Sequence, residues 1–271
     1  MASEPVTGWA RDEEDYEYLH NQGVEFAAAP LTFGAPEEFD ADAIIATEFQ
    51  AAQSSCTGHA ESSGLEGCCW IAAGGDKSDR PRQFSRMFAY LEGQRECGML
   101  GRDNGATIAG VVQASAKVGC CLEATFPYPA RYATRVPQEA YAEAGTYKIR
   151  SHSNLRSYSE VLAYQQAGQG PIVIGISWTA ALVASTGVIA LRDVKGRGGG
   201  HALLLWGWDK NGRIRLHNSH GTQWGDKGKA WVDVDAVKYW ADSGQAELIG
   251  ISDLSGVDVQ RPMTCDYGDG L

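Results

Sequence analysis

Apolar residues in the first half of the chain recur every three or four positions, which is the pattern of amphipathic helices. One such series predicts a helix near residues 84–91. A second helix is predicted from about residue 106 to residue 118, where a glycine follows. A further helix is predicted from Cys56 to about Ala73, because the glycines at positions 74 and 75 cannot easily continue it. The N-terminal half is therefore expected to be mainly helical.

The second half changes to short, continuous apolar runs between glycines and polar residues, a pattern that is typical of strands. The strongest runs cover residues 171–177, 202–208, 213–218 and 230–234, with a shorter run at 147–149 and a short helix at about 159–167. Helices first and mostly antiparallel strands later indicate an α+β fold of two lobes. We predict a helical lobe over 41–125 and a β-rich lobe over 126–250, flanked by an irregular arm at 1–40 and a tail at 251–271.

Composition limits the possible partners. The 271 residues are 44% hydrophobic and 21% charged, with a net charge of −11 and no two adjacent Lys or Arg residues, so a nucleic-acid ligand is not expected. The most apolar stretch, residues 202–208, is far shorter than the roughly 20 residues that a membrane-spanning helix needs. The first ten residues lack a basic flank followed by an apolar run, so no secretion signal is expected and a cytoplasmic location is favoured.

Cysteine usage fits a reducing compartment. The seven cysteines are an odd number, and four of them form the adjacent pairs Cys68-Cys69 and Cys120-Cys121. None of the spacings is typical of a zinc site, and the sequence predicts neither a metal nor another cofactor. Most of these cysteines are interpreted as reduced, buried thiols, while a disulfide among Cys97 and the two pairs stays open.

Cys56 is the best candidate for a nucleophile. It follows a turn of small residues and stands at the predicted start of a helix. Unpaired backbone N–H groups and the positive end of the helix dipole favour a thiolate there. Gln50 stands six residues upstream, where the turn would let its side chain point an amide donor at the same site.

His201 is the best candidate for the matching base among six histidines. Three glycines precede it and an apolar strand follows, so the backbone can approach a ligand closely while the ring is held on a rigid element. Asn218 closes the next predicted strand. If the two strands are antiparallel neighbours, the side-chain carbonyl of Asn218 lies beside His201 and holds its ring in one tautomer.

Taken in order, these motifs resemble those of the papain-like cysteine proteases. The segments that match the nucleophile, histidine and asparagine motifs are Gln50-x5-Cys56-Thr57, Gly200-His201-Ala202 and Asn218-Ser219-x-Gly221-Thr222-x-Trp224-Gly225. Thr57 stands where the plant enzymes have Trp, which resembles the variant of bacterial members. The resemblance covers about residues 45–250 and implies a papain-like fold with the active site between its two lobes.

The resemblance implies a role for each matching residue. Cys56 is expected to attack the peptide carbonyl as a thiolate paired with an imidazolium at His201, which then protonates the leaving amine. Asn218 is expected to orient His201, and Gln50 to form the oxyanion hole with the Cys56 N–H. Two further positions are expected to contact the peptide or protein substrate, namely Gly105 and Trp224.

Several alternatives stay open. His220 stands where the family usually has a Trp that shields the Asn–His contact, and it is an alternative base. Cys69-Trp70 imitates the Cys-Trp pair of the plant enzymes, but Ser63 rather than Gln stands six residues upstream. A catalytically silent binding or assembly domain and a cell-wall peptide amidase are alternative functions. Residues 1–40 are short and poorly helical, so control by a helical pro-segment like that of family zymogens is not expected. The oligomeric state is left open.

Overall fold

The computed structural model describes residues 7–11, 37–75 and 81–257. Its helices are α1 (Cys56–Ala72), α2 (Arg86–Glu96), α3 (Ile108–Lys117), α4 (Gln138–Ala144), α5 (Tyr158–Gln166), α6 (Ala180–Val183), α7 (Leu191–Val194) and α8 (Val234–Ala241). Its strands are β1 (Phe39–Asp40), β2 (Ile149–Asn154), β3 (Ile172–Trp178), β4 (Val188–Ile189), β5 (Gly199–Trp208), β6 (Ile214–His217), β7 (Lys229–Val232) and β8 (Ala246–Leu254). Most of the predicted arm and tail, with Cys265, lies outside the described residues.

The strands form one sheet in the order β2-β8-β3-β5-β6-β7-β4, and β1 pairs with the far end of β5. All of these pairs are antiparallel except β4 with β7. Because α1, α2 and α3 precede every strand of this sheet except β1, and the sheet is largely antiparallel, the predicted α+β fold is confirmed. The predicted boundaries differ at both ends. Strand β1 lies within the predicted arm, and β8 continues past residue 250, because both segments complete backbone hydrogen bonds of the sheet.

Helix α1 lies buried between α2 and the sheet because small residues line it. A Cβ on Gly58 would lie 2.4 Å from the carbonyl oxygen of Arg86, and one on Gly67 would lie 3.0 Å from the ring of Trp206. Every residue from Cys56 to Cys69 is buried. Close backbone packing on both sides therefore fixes where the first residue of α1 lies.

Apolar side chains cover both faces of the sheet. Along β3, Ile172, Ile174 and Ile176 pack into the core formed with α5 and α8, whereas Val173 packs into the core formed with α1, α2 and α3. Strand β5 alternates in the same way, with Leu204 on the helical-lobe side. Burial on both faces is the physical reason why these strands are continuous apolar runs in the sequence.

Strand β8 and helix α8 are absent from the sequence-based expectation. Glu247, Gly250 and Asp253 interrupt the apolar run of β8, and the run of α8 is only eight residues long. Within the described ranges, no helix is long and apolar enough to cross a membrane. The described cysteines are free thiols, namely Cys56, Cys68, Cys69, Cys97, Cys120 and Cys121.

Candidate active site

Cys56 is the first residue of α1, with Ser55 at the N-cap position. Its sulfur accepts a hydrogen bond of 3.4 Å from the backbone N–H of Ala202, so the start of α1 touches β5 directly beside His201. The N–H groups of a first helical turn have no acceptor within the helix. The backbone at Cys56 therefore offers donors next to its own sulfur.

His201 and Asn218 contact each other through the pairing of β5 with β6, which are antiparallel neighbours. The distance between His201 Nε2 and Asn218 Oδ1 is 2.8 Å. The same oxygen accepts the backbone N–H of Ser219 at 2.8 Å, so it acts as an acceptor and Nε2 must donate to it. A neutral ring then has its lone pair on Nδ1, and Nδ1 has no hydrogen-bond partner among the described residues.

Two aromatic rings pack against the His201 ring. The centroid of the Trp178 ring lies 4.6 Å from it, and the His220 ring stacks on it at 4.5 Å with an interplanar angle of 25°. Trp178 also contacts Trp224, whose indole N–H donates to the carbonyl of Leu182 at 2.8 Å. His220 thus occupies the place that the resemblance gives to a shielding Trp, while Asn218 hydrogen-bonds to His201.

Hydrogen bonds at both Oε1 and Nε2 hold the Gln50 side chain. Its Oε1 accepts from the hydroxyl of Ser219 at 2.6 Å, and its Nε2 donates to the carbonyl of Gln53 at 2.8 Å. The Gln50 backbone N–H donates to the Ser219 carbonyl at 2.9 Å. Ser219 directly follows Asn218 in the chain. It therefore links the loop that carries Gln50 to the asparagine that contacts His201.

The remaining residues that the sequence suggested for the site lie at different distances from His201. Gly105 has a positive φ of 98°, and its loop is held because Gln94 Nε2 donates to its carbonyl at 2.8 Å. Trp224 packs behind Trp178 and is buried. Cys69 lies thirteen residues after Cys56 in the unbroken helix α1, which is about 20 Å along the helix axis. Cys69 is therefore separate from the His201 site.

Residues 7–11 form a short covering segment that lies over Cys56. The backbone N–H of Ala106 donates to the Gly8 carbonyl at 2.9 Å, and the N–H of Ala10 donates to the Ala106 carbonyl at 3.0 Å. A Cβ on Gly8 would lie only 1.8 Å from the carbonyl oxygen of Ser54. The segment is therefore paired to the helical lobe at van der Waals distance from the turn before α1.

Trp9 binds the covering segment to the β-rich lobe. Its backbone N–H donates to the Gly200 carbonyl at 3.1 Å. Its indole lies against Gly175, where an added Cβ would be 2.5 Å from the ring, and its Nε1 donates to Glu247 Oε2 at 3.0 Å. The covering segment thus contacts both lobes.

Burial in the covered site shifts the pKa values of the two reactive groups. Burial raises the pKa of the Cys56 thiol to about 11, although the backbone N–H groups of Ala202 and Gly8 act in the opposite direction. Burial, followed by the nearby His220, lowers the pKa of His201 to about 3. The covered site therefore favours a neutral thiol and a neutral imidazole, in contrast to the thiolate–imidazolium pair expected from the sequence.

A buried cluster of charged side chains connects α1 to the first residue of α2. Arg86 binds Glu48 through two nitrogens and Glu66 at 3.0 Å, and His59 Nδ1 lies 3.1 Å from Glu48. Burial opposes ionisation of Glu48, but the hydrogen bonds from His59 and Arg86 outweigh it and lower its pKa to about 2. Burial raises the pKa of Glu66 to about 8, so Glu48 rather than Glu66 is a charged partner of Arg86 at neutral pH, together with Glu123 at 3.4 Å. Among the described residues, no group of three or more His, Cys, Asp and Glu side chains is arranged to hold a metal ion.

Comparison with known families and structures agrees with this geometry. Residues 89–240, more than half of the chain, match the sequence model of the papain family cysteine proteases. The chain belongs to the papain family. The matched range contains His201 and Asn218 and begins after Cys56. No match was found among curated protein sequences.

Solved structures of papain-like proteases have the same fold. Xylellain, a cysteine protease from Xylella fastidiosa, is 22% identical, with 93% of each chain covered and a TM-score of 0.67. Procathepsin B S9 from Trypanosoma congolense is 18% identical, with 92% of this chain and 87% of that chain covered and a TM-score of 0.67. The Carica candamarcensis protease CMS1MS2, solved in complex with E-64, is 17% identical over 80% of this chain and 99% of its own, with a TM-score of 0.60. Family and fold together confirm the predicted papain-like cysteine peptidase, whose substrates are peptides or proteins.

Several residues of this site were not singled out in the sequence. Ser219 could have been found from the sequence, since it directly follows Asn218 in the asparagine motif. Glu247 could also have been found, because it is a carboxylate inside an apolar run. Trp178 directly follows the strand predicted at residues 171–177, and its position beside His201 depends on sheet register. Nothing in the local sequence marks Trp9.

Proposed function

We propose that the protein is a cysteine endopeptidase in which Cys56 forms an acyl-enzyme and His201, oriented by Asn218, transfers the protons. The observation that carries this proposal is the hydrogen bond between His201 Nε2 and Asn218 Oδ1. Because it leaves the lone pair of Nδ1 as the proton acceptor of the ring, it supports His201 as the base for a nucleophile at the start of α1.

In this mechanism, Nδ1 of His201 takes the thiol proton and Sγ of Cys56 attacks the scissile carbonyl carbon. The oxyanion accepts hydrogen bonds from the Cys56 N–H and from the Gln50 side chain. Ser219 supports this role of Gln50, since its hydroxyl occupies Oε1 and so turns the NH2 group away from Ser219. The proton on Nδ1 then passes to the leaving amine as the C–N bond breaks. Finally, a water gives a proton to Nδ1 and attacks the thioester carbonyl; the C–S bond then breaks, the acid leaves, and the Nδ1 proton returns to Sγ of Cys56.

The covered arrangement is proposed to be a latent form of this enzyme. A peptide substrate and the covering segment cannot occupy the same space over Cys56. The Gly8 carbonyl accepts a hydrogen bond from the backbone N–H of Ala106, so it is held by the helical lobe rather than by the oxyanion donors. This position supports the proposal that Cys56 does not cleave the segment. Such control would act through an extended strand, whereas the sequence led us to expect no control by a helical pro-segment.

The proposal is tested by hydrolysis of a fluorogenic dipeptide library. Cys56→Ala and His201→Ala should each abolish hydrolysis, whereas His220→Ala should keep a measurable rate. An epoxide inhibitor followed by peptide mapping should modify Cys56, with Cys69 unmodified as the internal control. Hydrolysis that persists in His201→Ala and is lost in His220→Ala would make His220 the base instead.

A catalytically silent binding domain is the second candidate, and full burial of Cys56 is the observation that favours it. It predicts no Cys56-dependent hydrolysis even after the covering segment has been displaced. A cell-wall peptide amidase would use the same residues on a different amide, and release of peptides from purified peptidoglycan distinguishes it from an endopeptidase.

A further inference from the structure

One hydroxyl group connects the two parts of the proposed oxyanion hole. Tyr128 Oη lies 3.0 Å from the carbonyl oxygen of Gln50 and 2.5 Å from the hydroxyl oxygen of Ser55. Ser55 directly precedes Cys56 in the chain. Because a carbonyl oxygen can only accept, Tyr128 donates its single proton to Gln50 and accepts the proton of Ser55. The two hydrogen bonds therefore run in one direction, from Ser55 through Tyr128 to Gln50.

This pair of hydrogen bonds lies away from bulk water. Ser55 and Gln50 are both buried, and the half-buried ring of Tyr128 packs edge-on against His59 of α1, with the ring centroids 4.7 Å apart. Burial raises the pKa of the Tyr128 hydroxyl above its ordinary value, so the group keeps its proton at neutral pH. Loss of this hydroxyl therefore removes hydrogen bonds that bulk water does not replace.

The carbonyl that Tyr128 holds belongs to a strained turn. The Gln50 carbonyl also accepts the backbone N–H of Gln53 at 3.2 Å, which closes a turn. The second residue of this turn, Ala51, has a positive φ of 54°. Such a conformation brings Cβ close to the following carbonyl oxygen, so alanine avoids it whereas glycine adopts it readily. Contacts from the surrounding structure must therefore hold the turn in this shape.

The shape of the turn determines where the Gln50 amide points. Gln50 Nε2 donates to the carbonyl of Gln53, at the other end of the turn, at 2.8 Å. If Ala51 relaxed to a negative φ, the peptide plane between Gln50 and Ala51 would rotate and its carbonyl oxygen would leave the Tyr128 hydroxyl. The side chain of Gln50 would then shift relative to the backbone N–H of Cys56, and the two proposed oxyanion donors would no longer converge.

The segment that carries Tyr128 is itself held in place. The backbone N–H of Tyr128 donates to the Glu123 carboxylate at 2.6 Å, and Glu123 also pairs with Arg86 at 3.4 Å. The next carbonyl along the chain, that of Pro129, accepts from the side chain of Gln53 at 2.8 Å. The Tyr128 hydroxyl therefore has a fixed position against which the strained turn is held.

From these contacts we infer that Tyr128 is a positioning residue for the oxyanion hole, because its hydroxyl holds Ala51 in the left-handed conformation that aims the Gln50 amide. The inference rests on the proposed peptidase function and adds a residue that acts through Gln50. Tyr128 is thus expected to affect the chemical step more than substrate binding.

The first test measures kcat and KM of the full-length Tyr128→Phe enzyme with a fluorogenic dipeptide. We expect kcat to fall by about 10- to 100-fold, while KM changes little. Because the covering segment competes with the substrate for the same space, a change in covering would appear in KM instead. Tyr141→Phe is the matched control, because its hydroxyl also donates one hydrogen bond, to Glu92, and accepts one, from Arg95. This control should leave kcat unchanged, and an unchanged kcat in Tyr128→Phe would overturn the inference.

The substitution Ala51→Gly tests the strain in the turn. Glycine adopts a positive φ without the Cβ penalty, so the turn depends less on the hydroxyl. In the Ala51→Gly background, the loss of kcat caused by Tyr128→Phe should be smaller by about tenfold. An equal loss in both backgrounds would show that Tyr128 does not hold Ala51, which contradicts the inference.

A third measurement needs no turnover. A peptide aldehyde forms a hemithioacetal with Cys56 whose oxygen takes the place of the oxyanion, whereas the alcohol of the same peptide binds without a covalent bond. Tyr128→Phe should weaken inhibition by the aldehyde by about the factor lost from kcat and leave inhibition by the alcohol unchanged. Equal weakening of both would mean that Tyr128 supports the cleft as a whole, and the inference would be wrong. Absence of Cys56-dependent hydrolysis of any peptide by the wild-type enzyme would instead overturn the proposed function.

Discussion

The substitution Gly8→Ala should move the covering segment out of the cleft without changing any residue of the proposed catalytic set. The new Cβ would lie 1.8 Å from the carbonyl oxygen of Ser54, a distance that no non-bonded pair can keep. Ser54 belongs to the turn that leads into α1, and α1 is packed on both sides. The segment must therefore move instead of the turn.

The cost follows from the hydrogen bonds that this movement breaks. Three backbone bonds of 2.9–3.1 Å hold the segment, from Ala106 to Gly8, from Ala10 to Ala106 and from Trp9 to Gly200. At about 0.5–1.5 kcal/mol each, their loss weakens the covered state by about 1.5–4.5 kcal/mol. Since about 1.4 kcal/mol is a factor of ten, the open fraction should rise by about 10- to 1,000-fold.

The assay is the rate at which iodoacetamide modifies Cys56 at pH 7, measured by peptide mapping, with the half-buried Cys97 as a reference in the same digest. Gly145→Ala is the control, because its φ of −58° suits alanine and the nearest atom to the new Cβ is 3.9 Å away. A folded Gly8→Ala protein that reacts at the wild-type rate would refute the idea that residues 7–11 protect the thiol.

The same covered state should be sensitive to pH, and the sign follows from the two pKa shifts. The pKa of His201 is lowered from 6.5 to about 3, so the covered state is fully favoured above about pH 6.5 and weakens as the pH falls toward 3. The pKa of Cys56 is raised from 9.0 to about 11, so this contribution is complete below pH 9 and is lost as the pH rises through 11. Hydrogen exchange of the segment amides, corrected for intrinsic rates, should report more frequent opening at pH 5 than at pH 7. Equal opening at both values would contradict the role of His201 burial.

Three further substitutions, one of them with a matched control, test the surroundings of the site. Gln50→Ala should lower kcat by about 10²–10³-fold if its amide binds the oxyanion, and an unchanged kcat in steady-state kinetics would exclude that role. Arg86→Met removes the cation from a buried carboxylate cluster and should cost about 3–5 kcal/mol in urea unfolding, whereas Arg95→Met at a half-exposed position should cost less than about 1 kcal/mol. His220→Trp removes a neighbour that lowers the pKa of His201, so the acid limb of the kcat/KM profile, which requires a neutral His201, should move to higher pH, and a profile that does not move would contradict the coupling.

Local sequence signals were sufficient for most elements of the fold. The predicted helix from Cys56 to about Ala73 is α1, Cys56–Ala72, because glycines that end a helix act within one turn. The runs at 171–177 and 202–208 correspond to β3 and β5 because apolar burial on both faces leaves a continuous pattern. Strand β8 was missed because Glu247 and Gly250 break that pattern, although both fit their places in the folded sheet.

The features of the candidate site likewise separate into those that depend on local sequence and those that depend on tertiary contacts. Local sequence patterns were enough to predict that a cysteine starts a helix, that a histidine follows a glycine run and that an asparagine closes the next strand, because each of these depends on near neighbours in the chain. By contrast, the covering of the thiol by residues 7–11 and the contact of Trp9 with Glu247, a residue 238 positions away, are visible only in the folded chain. That contact depends on the register of β3, β5 and β8 and on the packing of the two lobes, and no local pattern encodes either. Burial in the assembled cleft, rather than the identity of Cys56 and His201, is also what shifts their pKa values toward the neutral pair.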